Sequence, residues 1–380
     1  MPAPKRNPKR IAVATTVLSQ YEADIVYGVI RYSQLFGHWR FIGTRNRPHI
    51  SFEDIDLNQV DGVIGGFYDQ TWVEAVRDAG IPAVNTSNSM ADVSLPRVGT
   101  DDLAIGRMGA EHLLECGYPQ FGFVMRGDNW YSHRRLAGFR EAVEAKAGRP
   151  CHILMPPPGL HEDAIEPIPE WLSRLPKPIG IMAANDMRGR QVIDCAVDAG
   201  FRVPEDVGVL GVDNDEMASA LAATTLSSLK LNGIEAGYRA AGMLDALMAG
   251  KSPEFPVWLP PVGVVVRHSS DITVTFDDLV SRAMRYIHTY CQEPITVEDV
   301  LSHVRVSRTT LGVRMKRAVG KTPLAAIAHA RVERAKKMLA DSNATISEIA
   351  FECGFIRQEQ LSVVFKRQTG MTPSEFRRQR

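Results

Sequence analysis

Five cysteines in 380 residues (Cys116, Cys151, Cys195, Cys291 and Cys353) are odd in number and widely spaced, with no CxxC pair. That excludes a disulfide framework and a cysteine-held zinc site, and points to buried thiols in a reducing compartment. No stretch of about 18 apolar residues occurs, so no membrane-spanning helix is expected. The apolar run at 11–14, behind a Pro- and Lys/Arg-rich start, is too short for a signal peptide. Neither charge sign is in excess, with 44 Lys/Arg against 44 Asp/Glu. The signatures GxGxxG, GxxxxGK[ST], GxSxG and HExxH are all missing. Carboxylates and histidines are scattered, with no spacing that pairs an acid with a base. These absences describe a soluble, cytoplasmic protein without catalytic constellation, cofactor or metal.

The zero net charge conceals a division. Residues 301–380 hold 16 Lys/Arg against 6 Asp/Glu, which leaves 28 against 38 in residues 1–300. An acidic body with a basic end fits a nucleic-acid contact confined to one region. At this length two or three domains are expected.

From residue 11 short apolar runs alternate with amphipathic stretches. IAVATT, DGVIGG and IPAVNT form one series. FGFVMRG, CHILMP, IGIMAAN and VGVLGVD form a second, after VGTDD at 98–102. This is the rhythm of a parallel α/β sheet, and it predicts two lobes in succession over residues 11–267, with a crossover near 99–102. After residue 267 the alternation stops. A linker is expected at 268–278, and everything from Leu279 reads helical. Residues 1–10 read as a basic tail.

The helical end is duplicated. Two segments offset by fifty positions share Leu311/Leu361, Val313/Val363, Lys316/Lys366, Arg317/Arg367, Gly320/Gly370, Thr322/Thr372 and Pro323/Pro373. Each copy reads as a helix, a turn and a second helix, the order that places a helix in a DNA groove. The first module, about 296–317, opens with a capping box at Thr296 and a second cap at Ser307. Leu311 and Met315, one turn apart, face its core, and Arg308, Thr309, Gly312, Val313 and Lys316 turn outward. The second module, about 345–367, caps at Thr345, turns at Gly354 and buries Leu361 and Phe365. Gln358, Glu359, Ser362, Val363 and Lys366 are left outside. A helix over 324–339, about 24 Å long, separates the modules and could set both reading helices in successive major grooves.

Cys353-Gly-Phe355, Phe365-Lys-Arg367, Gly370-Met-Thr-Pro373 and Phe376-Arg377 resemble the signature of the AraC/XylS family of transcription regulators. The resemblance implies two helix-turn-helix modules reading double-stranded DNA. It departs at Arg305, where relatives place Gly in the turn, so that turn either differs or is strained. Arg308, Thr309, Val313 and Lys316 are the first module's candidate contacts. In the second, Gln358, Glu359 and Ser362 suit base edges, while Arg357, Lys366 and Arg367 suit phosphates. The alternative for each is a solvated helix face.

In the body, Asp69, Asn185 and Asp213 fall at the C-terminal ends of apolar runs, and Arg135 after FGFVMRG and its loop, where open α/β sheets hold ligands. The order Val98, Asp101, Asp102, Gly106, then His112, Gly117, Tyr118, Arg135, Phe139, Asn185-Asp186 and Gly211, Asp213 resembles the effector domain of LacI/GalR repressors. The fold class expected is therefore an α/β two-lobed, periplasmic-binding-protein-like domain followed by an all-α tandem helix-turn-helix domain. With the first strand starting at Ile11, no DNA-binding headpiece is expected ahead of it. The resemblance implies Arg135, Asn185, Asp213 and, more weakly, Asp69 as effector contacts, with Tyr21, Phe67 or Trp130 covering an apolar ring face. A carboxylate, an amide and a guanidinium suit a sugar, and the resemblance, such an effector domain joined to an AraC-type tail, implies a pentose such as D-xylose. A homodimer is implied, with RNA polymerase as a further candidate partner. The alternatives are a sensor for a purine or amino acid, or a sugar- or nucleotide-handling enzyme with an accessory helical domain.

Overall fold

The computed structural model describes residues 8–15, 19–42, 51–157, 161, 164–271, 277–341 and 344–378. Most of the basic start, residues 1–7, and 272–276 of the expected linker lie outside them. The chain divides into two units, Met1–Asp271 and Ile272–Arg380.

The first unit begins with β1 (Arg10–Ala14), α1 (Gln20–Tyr32), β2 (Arg40–Ile42), β3 (Gly62–Gly65), α2 (Gln70–Asp78) and β4 (Ala83–Asn85). These strands form a parallel sheet in the order β2-β1-β3-β4. Then come β5 (Val98–Thr100), α3 (Asp102–Glu115), β6 (Phe121–Val124), α4 (Trp130–Ala147), β7 (Cys151–Leu154), α5 (Pro167–Arg174), β8 (Ile179–Ala183), α6 (Asp186–Asp198), β9 (Val207–Val212), α7 (Glu216–Leu221) and β10 (Ser227–Lys230). The unit ends with α8 (Gly233–Met248), β11 (Val257–Leu259) and β12 (Gly263–Val265). The second sheet runs β12-β10-β9-β8-β6-β7, with only β12 antiparallel. Strands such as Gly62–Gly65 and Val207–Val212 are buried along their whole length, as strands covered by helices on both faces must be.

The lobes are interleaved, which corrects the expectation of two lobes in succession. Helix α8 returns to the first lobe and packs on α1. Gly28 of α1 lies against the carbonyl of Ile234, and Gly237 against that of Ile25, so a Cβ at either position would collide with backbone. Gly106 and Gly138 bring α3 and α4 together in the same way in the second lobe. The hinge is the parallel pair β5 and β11, in register Val98 with Val257 and Leu259 with Thr100. His268–Ser270, expected in the linker, forms a turn inside the α/β unit. Ser269 Oγ donates to the Val209 carbonyl and accepts from the Ser227 amide. Arg10 belongs to β1 and pairs with Asp61 rather than to a free tail.

The second unit contains α9 (Asp278–Tyr290), α10 (Val297–Val304), α11 (Arg308–Val319), α12 (Pro323–Asp341), α13 (Ile346–Glu352), α14 (Gln358–Thr369) and α15 (Pro373–Arg378). Capping boxes start α10 at Thr296 and α13 at Thr345, and the Ser307 hydroxyl accepts from the Thr310 amide ahead of α11. At 19 residues, α12 is about 28 Å long. Its first half shares a core with Val300, Leu311 and Met315, and its second half with Ile349, Leu361 and Phe365. Between the halves Arg331 donates to the carbonyls of Cys291, Glu293 and Ile295 and lies over Phe355. That fixes one module against the other. Arg305 adopts a left-handed turn, φ 58°, where Gly354 does so in the second copy, φ 74°. The two turns are alike, and the first carries a strain of about 1 kcal/mol that glycine avoids.

Candidate functional site

The cleft between the two lobes of the α/β unit encloses about 620 Å³. Strand ends and helix starts supply its lining, because both sheets point their C-terminal edges at it. Tyr21, Arg135, Asn185 and Asp213 all line it.

Asp213 follows β9 directly. Its backbone has φ 112°, sparsely populated for a side chain with a Cβ, and is pinned by successive amides. The Asp213 amide donates to the Leu229 carbonyl, that of Asn214 to Ser228 Oγ at 2.9 Å, and that of Asp215 to Asp186 Oδ2 at 2.6 Å. Asp186, buried and itself pushed well above the usual carboxylate range by burial, also takes the Ser228 hydroxyl at 2.6 Å. Strain over-determined by its surroundings concentrates where geometry is used. The Asp213 carboxylate accepts no hydrogen bond among the described residues. Burial raises its pKa to about 7, with Glu22 and Asp215 adding to the rise and Arg135 and Arg126 opposing it.

Arg135, on α4, is buried. Nε donates to Asp102 Oδ1 at 2.9 Å, Nη1 to the Ala184 carbonyl at 2.6 Å, and the guanidinium lies 4.8 Å from the Tyr131 ring centre. Asp102 also accepts from Asn88 Nδ2 at 2.6 Å and Thr100 Oγ1 at 3.0 Å. Asn185 caps α6, its side-chain oxygen taking the Arg188 amide. Two buried lining atoms, the Tyr21 hydroxyl and Asn88 Oδ1, have no partner among the described residues. Burial pushes the Tyr21 phenol upward, so it stays protonated and able to donate. The lobes are bridged across the cleft by Gln20 N to Asp215 Oδ2 at 3.2 Å and by the amides of Trp130 and Tyr131 to the carbonyls of Ser89 and Asn88.

Three expected contacts lie elsewhere. Asp69 is an exposed cap of α2, its carboxylate taken by the Thr71 amide and hydroxyl at 2.8 Å. Phe67 is buried among Phe52 and Val73 in the first lobe's core. Trp130 packs on Trp258 at 5.8 Å between Arg97 and Arg134. In each case the neighbouring tyrosine faces the cleft instead. Tyr68 lies between Phe67 and Asp69 and donates to Glu22 Oε1 at 2.7 Å, and Tyr131 follows Trp130. Sequence reasoning also missed Asn88, Arg126 and Asp215. The polar cluster Thr86-Ser87-Asn88 after β4 was the available signal.

A second route leads out of the cleft. Asn214 Oδ1 accepts from Arg267 Nη2 at 2.8 Å. Three residues on, Ser270 Oγ shares a 2.7 Å hydrogen bond with His112 of α3, whose pKa burial lowers to about 4. The residues through which the chain leaves this unit are thus tied to the loop carrying Asp213.

In the helical unit, Arg308, Thr309, Val313 and Lys316 of α11 are exposed, as are Gln358, Glu359, Lys366 and Arg367 of α14 and Arg357 before it; Ser362 is half-buried. Arg308 pairs with Glu298, and Lys316 donates to the Gly320 carbonyl. Among the described residues no helix is long and apolar enough to cross a membrane, and no cluster of metal-binding side chains occurs.

A periplasmic binding protein-like domain model matches residues 110–270, and a helix-turn-helix domain model matches residues 301–379. The chain is 32% identical to the xylose operon regulatory protein of Haemophilus influenzae over 97% of its length and 98% of the relative's. It is also 32% identical to the protein of that name from Escherichia coli K12, over 97% and 96%. Among solved structures it resembles the xylose-binding transcription activator XylR, at 29% identity and a TM-score of 0.73, over 97% of this chain and 98% of that one. These relatives are transcription regulators, which sets aside the enzyme alternative.

Proposed function

The chain belongs to the family of xylose operon regulatory proteins, transcription regulators with a helix-turn-helix DNA-binding domain, and we propose that its cleft binds a pentose, D-xylose or a close relative. The observation that carries this reading is Asp213, a carboxylate with no hydrogen bond from the described residues, among unpaired Tyr21 and Asn88 groups and beside Arg135. Such a set asks for a ligand rich in hydroxyls, which both donate and accept. The cleft exceeds what a pentose fills, which leaves room for the lobes to close on it.

Thermal unfolding against pentoses, hexoses, polyols and purines tests this, because a ligand of the folded state alone raises stability by RT ln(1 + [L]/Kd). Stabilisation by D-xylose or a near pentose is expected. A shift with purines only would discard the sugar and keep the regulator.

The signal leaves the sensor through Asn214 and Arg267. Effector binding alters DNA affinity only where it favours one arrangement over another. Asn214→Gly keeps the left-handed backbone, φ 53°, and removes the hydrogen bond. Pentose affinity is expected within about twofold of wild type, while the pentose-dependent change in DNA affinity falls by about fivefold, a typical coupling energy of 1 kcal/mol. An unchanged response would disconnect this bond from regulation.

The working form is a homodimer joined through α1, the helical turn Ser33–Gly37 that follows it, and α8. Tyr27, Leu35, Phe36 and Ile234 are 64%, 57%, 62% and 43% exposed there, an apolar surface that isolated chains seldom leave open. Phe36→Glu is expected to convert a dimer to a monomer in sedimentation. A dimer that persists would place the interface elsewhere.

A further inference from the structure

We propose that Val313 and Val363 read the 5-methyl groups of two thymines placed at the same point of successive DNA half-sites. The inference rests on the DNA-reading role of the two modules and goes beyond it to the bases read.

Helices α11 and α14 each span 12 residues and bury the same two positions, Leu311 with Met315 and Leu361 with Phe365. The residue midway on the outer face is therefore Val313 in one and Val363 in the other, 64% and 67% exposed. A β-branched apolar side chain there gains nothing from water and is a mediocre helix former. In the major groove the one apolar group large enough to pack a side chain is the thymine 5-methyl, and the specific features of the other bases are hydrogen-bond donors and acceptors. An exposed valine at the centre of a groove-facing helix has that single complementary target.

Register follows from the duplication. Each valine stands three and four residues before the same Lys-Arg pair, Lys316-Arg317 and Lys366-Arg367. Phosphate contacts fix how a helix sits along the duplex, so equal spacing from valine to cation sets both valines over equivalent base steps. One turn earlier the copies differ, Thr309 in the first against Glu359 in the second. A glutamate accepts from the cytosine amino group, which a threonine does not select so sharply. The half-sites therefore share a thymine and diverge beside it.

Duplexes enriched from a random library on the full-length chain, with and without D-xylose, supply the site. Each thymine is then replaced by deoxyuridine, which deletes only the methyl group. Two thymines about 10 base pairs apart are expected. Deoxyuridine at either weakens wild-type binding about fourfold, the worth of one buried methyl. Val313→Ser and Val363→Ser, both surface changes that remove the apolar contact, each abolish the thymine preference at one position and leave the other intact. Indifference of the wild type to deoxyuridine, or valine variants that keep both preferences, overturns methyl reading while DNA binding stands. Failure to enrich any sequence overturns the DNA-reading role and this inference together.

Discussion

Asp213→Asn is expected to lower pentose affinity by at least about 100-fold and, at pH 8, to make the sugar-free protein more stable. The affinity loss follows from replacing charge-assisted hydrogen bonds to two sugar hydroxyls, each worth about 1.5–3 kcal/mol, by neutral ones with one acceptor fewer. The stability gain has the opposite origin. Burial raises the folded-state pKa of Asp213 to about 7, above the ordinary carboxylate value. The folded protein therefore holds a proton that the unfolded chain has released between about pH 4 and pH 7. Stability falls as pH rises through that window, and above it the ionised group costs the sugar-free protein up to about 2 kcal/mol once access of solvent to the cleft is allowed for. Asparagine removes that cost, so the gain appears at pH 8 and is absent at pH 4. Titration calorimetry with D-xylose and thermal melts at the two pH values give both halves. Affinity left intact would remove Asp213 from the site, and a stability gain equal at both pH values would remove the charge as its cause.

Arg135→Ala costs about 3–5 kcal/mol of folding stability, the expected result of stranding one partner of a buried ion pair. The Arg135 and Asp102 side chains are only 6% and 1% exposed. Without the guanidinium, Asp102 keeps Asn88 and Thr100 but loses its countercharge, and the Ala184 carbonyl loses a donor. Adding Asp102→Asn to Arg135→Ala removes the stranded charge and regains part of the loss. The surface pair Arg239–Glu235 is the control, since Arg239→Ala is worth about 0.5 kcal/mol at most. Urea unfolding midpoints measure all of these, and a loss below about 1 kcal/mol for Arg135→Ala would show that the ion pair does not hold the hinge side of the cleft. Because Arg135 serves both the fold and the ligand surface, Asp213 is the cleaner probe of binding.

What could be read without coordinates was local and periodic. The duplicated tail announced its caps, its buried pairs Leu311/Met315 and Leu361/Phe365, and the strained turn at Arg305, because each is decided within about four residues along one helix. Asn185 and Asp213 were legible as polar residues at strand ends, where an open α/β sheet places its ligands, and Arg135, inside α4, only through the resemblance. The interleaving of the lobes was not, since glycines such as Gly28 and Gly237 announce a close approach without naming the partner. Nor was the choice between Tyr68 and its neighbours Phe67 and Asp69, or between Trp130 and Tyr131. A shift of one residue turns a side chain from cleft to core or to solvent. Which neighbour faces the ligand depends on sheet twist, on the hinge pair β5–β11 and on hydrogen bonds such as Gln20 to Asp215 between residues 195 apart. Contacts of that span leave no period in the chain, so they come into being only when the two lobes meet.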